Sequence, residues 1–217
     1  DYKLVHHGTN GRSVYSFCMC PGGQVVAATS EAGGVVTNGM SHSSRNERNA
    51  NAGLVVGILS SDFGSDHPLA GIALQRQLEA KAFELGGRNY NAPAQLVGDF
   101  LARRPSTTAG TVMPSYTPGV TWTDLSDALP DYAIAALREA IPAFDKTLRG
   151  FAMNDAVLTA VETRTSSPLR VPRGDENYES VNTRGLYPAG EGAGFAGGII
   201  SAAVDGMKVA EAVARSL

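Results

Sequence analysis

Cysteine is almost missing from this chain: its 217 residues hold two, Cys18 and Cys20, with Met19 between them. Two thiols cannot build a disulfide framework, so a small secreted fold stapled by bridges is excluded. They are also too few for a structural zinc site, and no metal site is expected. A bridge between the two is expected to be strained, because alternate residues of a strand stand roughly 7 Å apart at Cα. Long hydrophobic runs are missing too, and none approaches the ~18 residues of a membrane span. An excess of positive charge is missing: 18 Lys and Arg face 21 Asp and Glu, a net charge of −3. Nucleic acid is therefore not an expected partner. The first residues, Asp1 to His7, have no apolar stretch of the kind that opens a secretory signal. The expectation is a cytoplasmic protein, and a piece of a longer one.

What is present is an ordinary globular composition, 43% hydrophobic and 18% charged. A chain of this length can bury roughly 70% of its unfolded surface without staples. Glycine is the exception: 25 residues, well above the ~7% of average usage. Much of it falls between Gly185 and Gly206.

Along the chain, residues 1–12 read as loop. Val14–Met19 is rich in aromatic and β-branched residues and reads as a strand. Pro21-Gly22-Gly23 reads as a turn, Gln24–Thr29 as the return strand, and Val35–Thr37 as a third strand that stops at Asn38-Gly39. Residues 41–52 read as loop and Leu54–Leu59 as a buried strand. Helical spacing of Leu69, Ile72, Ala73, Leu78, Ala82 and Leu85 predicts a helix ended by Gly86-Gly87. Pro93–Arg103 reads as a second helix. Ile134, Leu137, Ile141, Phe144 and Leu148 predict a third over 131–149, broken near Pro142. Residues 154–163 fit strand or helix. Leu186–Ala189 reads as a short strand and Gly198–Ala214 as a final amphipathic helix. The composition changes near residue 166. The expected organisation is an α+β region over 1–165, a β-meander plus helices, followed by a strand–turn–helix over 166–217.

Gly192-Ala193-Gly194-Phe195-Ala196-Gly197 satisfies G-x-G-x-x-G between a predicted strand and a predicted helix. The dinucleotide fingerprint, however, opens a βαβ unit of ~30 residues. Only nineteen residues follow Gly198, enough for one helix and no second strand. Glu211 has a plausible offset for the ribose acid but falls inside that helix. The turn can still serve a ligand, since glycines let backbone approach closely and a helix N-terminus favours negative charge. Tight packing alone is the other reading.

The segment GLYPAGEGAGFAGGIISAAVDG, Gly185–Gly206, resembles the C-terminal motif of FAD-dependent oxidoreductases with the glutathione-reductase-like FAD fold. The nearest likeness is to a bacterial group of uncharacterised FAD-dependent dehydrogenases. SFCMCPGGQVVAATSE (Ser16–Glu31), VTNGMS (Val36–Ser41), LAGIALQRQLEAKAF (Leu69–Phe83) and VETRTSSPLRVPR (Val161–Arg173) resemble the same group, in the same order. The resemblance covers most of the chain, and CMCPGG with ETRTSSP is its most specific part. It implies a substrate-side domain over 1–165 and the closing segment of an α/β FAD-binding domain over 166–217. The ADP-binding Rossmann half that precedes these parts in the family is absent here and is the expected partner, together with a small-molecule substrate.

By the same resemblance the cofactor is FAD, held in the full-length enzyme and weakly or not at all by this chain alone. This chain alone is expected to be inactive. The implied cofactor contacts are Gly190, Glu191, Gly192, Ala193, Gly194, Gly197, Gly198 and Ile199. Glu191 would face the ribityl hydroxyls, and the helix start would face the pyrimidine edge of the flavin. Cys18, Cys20, Asn38, Met40, Arg164 and Ser166 are candidates for the substrate side. For each a plain structural role stands beside it. The cysteines fit a buried strand pair, Asn38-Gly39-Met40 fits a hairpin turn, and Glu162, Arg164, Ser166, Ser167 and Arg170 fit a loop clasping two domains. The alternative to an oxidoreductase portion is a non-catalytic binding or assembly domain that keeps the glycine turn for packing.

Overall fold

The computed structural model describes residues 4–216. The loop expected over residues 1–12 lies partly outside this range, at 1–3. From Leu4 to His7 the chain forms strand β1 instead of loop. The chain divides into two compact units, Asp1–Asp62 with Gln75–Thr163, and Phe63–Leu74 with Arg164–Leu217.

The first unit is α+β. Strand β2, Ser13–Ala27, is fifteen residues long and central to an antiparallel sheet. β1 and then β3, Thr37–Ser41, pair along one edge of it. β4, Asn49–Val56, pairs along the other. The turn expected at Pro21-Gly22-Gly23 does not form, and the strand runs through it. Register shifts between Phe17 and Cys20 and between Cys20 and Gly23 absorb the irregular residues as bulges, where proline and glycine are tolerated in a strand. Asn38 and Gly39 likewise pair with Val26 and Val25 inside the sheet and make no turn. β4 begins in the stretch expected to be loop.

Helix α1, Ala70–Leu85, falls where the spacing predicts it. Strand β5, Ala92–Leu96, replaces the first half of the helix expected over 93–103, and only Val97–Leu101 is helical, as α2. Four consecutive buried residues, Ala92 to Gln95, explain the difference. A short apolar run has no period to separate a buried strand from a buried helix. β5 is the middle of a second sheet, parallel to β6, Val120–Trp122, and antiparallel to β7, Val157–Thr159. The fully buried Gln95 satisfies its amide by donating to Arg104 O and accepting from Leu125 N.

Helix α3, Asp131–Thr147, buries Ile134, Leu137, Ile141 and Phe144 on one face and packs on β1, β2 and β4. Pro142 does not break it. The ring is exposed, so the Arg138 carbonyl that loses its donor can be met by water. Phe100, Val14, Ile141 and Val161, all 2% exposed or less, anchor the core of this unit.

In the second unit α4 spans Ile199–Ser216. The strand expected at Leu186–Ala189 is absent. A strand needs a ladder partner, and no described residue pairs with that stretch. Leu186 O instead accepts from Ser180 N.

Candidate functional site

The glycine turn belongs to the second unit and is built from both sides. On one side runs Ser167–Arg173. Val171 N donates to Ala193 O, Arg170 Nε to Gly194 O at 3.1 Å, and Ser167 Oγ lies 3.2 Å from Gly192 O as a donor. On the other side stands α4, whose Asp205 carboxylate accepts from Gly190 N at 2.7 Å. The same carboxylate takes both arms of Arg173, at 2.6 and 3.0 Å, with both side chains almost fully buried. Arg173 also donates to Pro188 O at 2.6 Å and lies 3.6 Å above the Phe195 ring. The Arg173 hydrogen bonds hold the Asp205 carboxyl below the usual carboxylate range against the opposing effect of burial, and Gly190 N adds to them.

These contacts divide the residues expected at the cofactor. Gly190 and Gly194 take positive φ, 70° and 82°. A Cβ on Gly194 would strike Leu169 O, so this glycine is required by packing. Ala193 is buried. Gly192 and Gly197 instead face open space, with nothing within 4 Å of where a Cβ would stand. Gly198 precedes α4, and Ile199 and Ile200 are 86% and 76% exposed. The amides from Gly197 to Ile200 make no hydrogen bond among the described residues, as expected for the first turn of a helix. The Glu191 carboxylate has no partner there either.

Arg173 and Asp205 were not among the sequence candidates. The one signal for Asp205 is an acid a turn and a half inside an apolar helix. Ser167 and Arg170, expected in a loop clasping two domains, hold the turn itself. Arg164 and Ser166 are exposed in this unit. Glu211 pairs with Arg215 on the exposed side of α4.

In the first unit, Cys18 is exposed and Cys20 half-buried, on the bulged part of β2. Asn38 and Met40 are exposed on β3. Glu162 is half-buried. Its Oε2 stands 3.3 Å from where a Cβ on Gly53 would be. Burial pushes its carboxyl above the ordinary range. Among the described residues no helix is long and apolar enough to cross a membrane.

The family model described as FAD-dependent protein, C-terminal domain-like, matches residues 1–165. The chain belongs to this family. Its α+β architecture is consistent with that domain. An uncharacterized protein of Clostridium beijerinckii is 57% identical over 212 residues, which is 97% of this chain and 40% of the relative. The chain thus spans about two fifths of the length of the relative it matches.

Proposed function

We propose that this chain is the C-terminal portion of an FAD-dependent oxidoreductase of the dehydrogenase type. Residues 1–165 would be its substrate-side region and 166–217 the closing segment of its FAD-binding domain. The observation that carries the reading is the match of an FAD-dependent family over most of the chain.

The residues at the turn suit a flavin. Glycines 192 and 197 face open space, so a ligand can approach the backbone there without meeting a side chain. The unpartnered amides from Gly197 to Ile200 lie at the positive end of an eighteen-residue helix, a setting that favours an electron-rich group. FAD, when bound, supplies the hydride chemistry. Glu191 would accept from ribityl hydroxyls, and the start of α4 would face the pyrimidine edge. Ala193, Gly190 and Gly194 would hold the shape of the turn. Cys18, Cys20, Asn38, Met40, Arg164 and Ser166 would lie on the substrate side.

Adenosine and pyrophosphate contacts belong to a Rossmann half in flavoproteins of this type. This chain alone is therefore expected to hold FAD weakly, since each lost tenfold in affinity is about 1.4 kcal/mol. Equilibrium dialysis of the 217-residue chain against FAD tests the assignment. Stoichiometric sub-micromolar binding would show that the wrong half was assigned. A protein that joins this chain to its Rossmann half is expected to purify yellow, and a colourless one that refuses added FAD would sink the reading.

A further inference from the structure

Cys18 and Cys20 have a geometry that their spacing does not suggest. In a regular strand they would stand roughly 7 Å apart at Cα, at the outer limit for a bridge. β2 is not regular there. Phe17 stands opposite Gly53 and Cys20 opposite Asn51, so one extra residue is folded into the strand between them. Cys18, inside this bulge, takes a φ of 51°, in the left-handed region. The Cys20 thiol consequently reaches the carbonyl of Cys18, with Sγ to O at 3.3 Å.

A second observation points to the same place. Asn51 buries both ends of its carboxamide without a partner. Its Nδ2 lies 2.8 Å, and the Cβ of Cys20 3.0 Å, from the one point where a Cβ on Gly23 would stand. A buried donor without an acceptor therefore sits beside Cys20. Buried unpaired groups in native proteins call for an explanation, and redox or catalytic use is one.

We propose that Cys18 and Cys20 form a dithiol–disulfide couple that exchanges with a small external disulfide. Cys18, the exposed partner, attacks one sulfur of the external disulfide after giving up its proton. A mixed disulfide forms on Cys18, and the first external thiolate leaves and takes up a proton. Cys20 then loses its proton, with the Asn51 amide donating to the charge on its sulfur, and attacks Cys18 Sγ. The intrachain bond forms and the second external thiolate leaves, again taking up a proton. Two protein thiols are oxidised and one external disulfide is reduced to two thiols. The proposal does not depend on the flavin reading, because neither thiol needs a cofactor for this exchange.

The test uses the full chain with oxidised glutathione, followed by alkylation and mass spectrometry. The wild type should lose the mass of two hydrogens and become inert to alkylation at both cysteines. Cys20→Ser should trap a stable glutathione adduct on Cys18. Asn51→Ala should let that adduct build up transiently before the same product forms, a delay that a loss of stability alone would not give. A wild type that keeps the adduct, forms dimers between chains, or leaves both thiols alkylatable would overturn the couple. An Asn51→Ala chain with no delay would overturn the role of Asn51.

Discussion

Asp205, in the second turn of α4, and Arg173, thirty-two positions earlier, are locked by two hydrogen bonds of 2.6 and 3.0 Å. The Oδ2 that takes the longer of these bonds also accepts from Gly190 N. One acid therefore fixes a helix, a loop and the entry to the glycine turn. Removing one partner of a nearly buried ion pair leaves the other uncompensated, at a cost on the order of 3 kcal/mol. Asp205→Asn is expected to speed hydrogen exchange at the amides of Gly190, Gly194 and Phe195. The amides of α3 should keep their protection, and equal loosening in both places would refute a local role.

Gly194 and Gly197 should respond differently to the same substitution. Alanine at 194 must adopt a positive φ and meet Leu169 O, a cost of at least about 1 kcal/mol from the backbone alone. Alanine at 197 meets nothing. Gly194→Ala should lower the melting temperature of the chain and Gly197→Ala should leave it unchanged. In the flavin-bearing protein a bulkier Gly197→Val should reduce FAD content. Unchanged flavin content would remove this glycine from the cofactor site.

Two acids of the first unit should give opposite dependences on pH. The Asp62 carboxyl is held low, first by hydrogen bonds from Arg12. Its contribution is present above the ordinary aspartate value, about 3.9, and is lost as pH falls through the lowered one. Glu162 is raised by burial. The folded state binds its proton more tightly, so stability declines as pH rises from about 4.3 towards the raised value. Glu162→Gln should match the wild type in acid and exceed it near neutrality in urea unfolding. A constant offset at all pH values would contradict this origin.

Phe100 is 1% exposed, in α2 beside the second sheet. The Arg138 guanidinium lies 4.7 Å over its ring. Phe100→Ala should cost about 3–5 kcal/mol. Trp122, the single tryptophan, lies on β6 of the same unit and reports the loss as a lower urea midpoint by fluorescence. A shift too small to resolve would mean that the site collapses around the cavity.

Elements with a strong period were legible in the sequence. Leu78, Ala82 and Leu85 placed α1, and Ile134, Leu137, Ile141 and Phe144 placed α3. β5 was not legible, because Ala92 to Gln95 carry no alternation when both faces of the strand are buried. The passage of β2 through Pro21-Gly22-Gly23 was hidden by residues that usually signal a turn. Only the pairing of Cys20 with Asn51 and of Gly23 with Asn49 shows that they bulge instead. The glycine turn could be found by its spacing. Arg173 and Asp205, which hold it, are far apart in sequence, and no local pattern links them.

The reach of β2 sets how the first sheet can come apart. β1, β3 and β4 each pair with β2. Fraying of one neighbour leaves two ladders in place, but a break within β2 removes a shared rail from all three. The sheet should therefore open as one cooperative block and offer no stable hairpin as a halfway state.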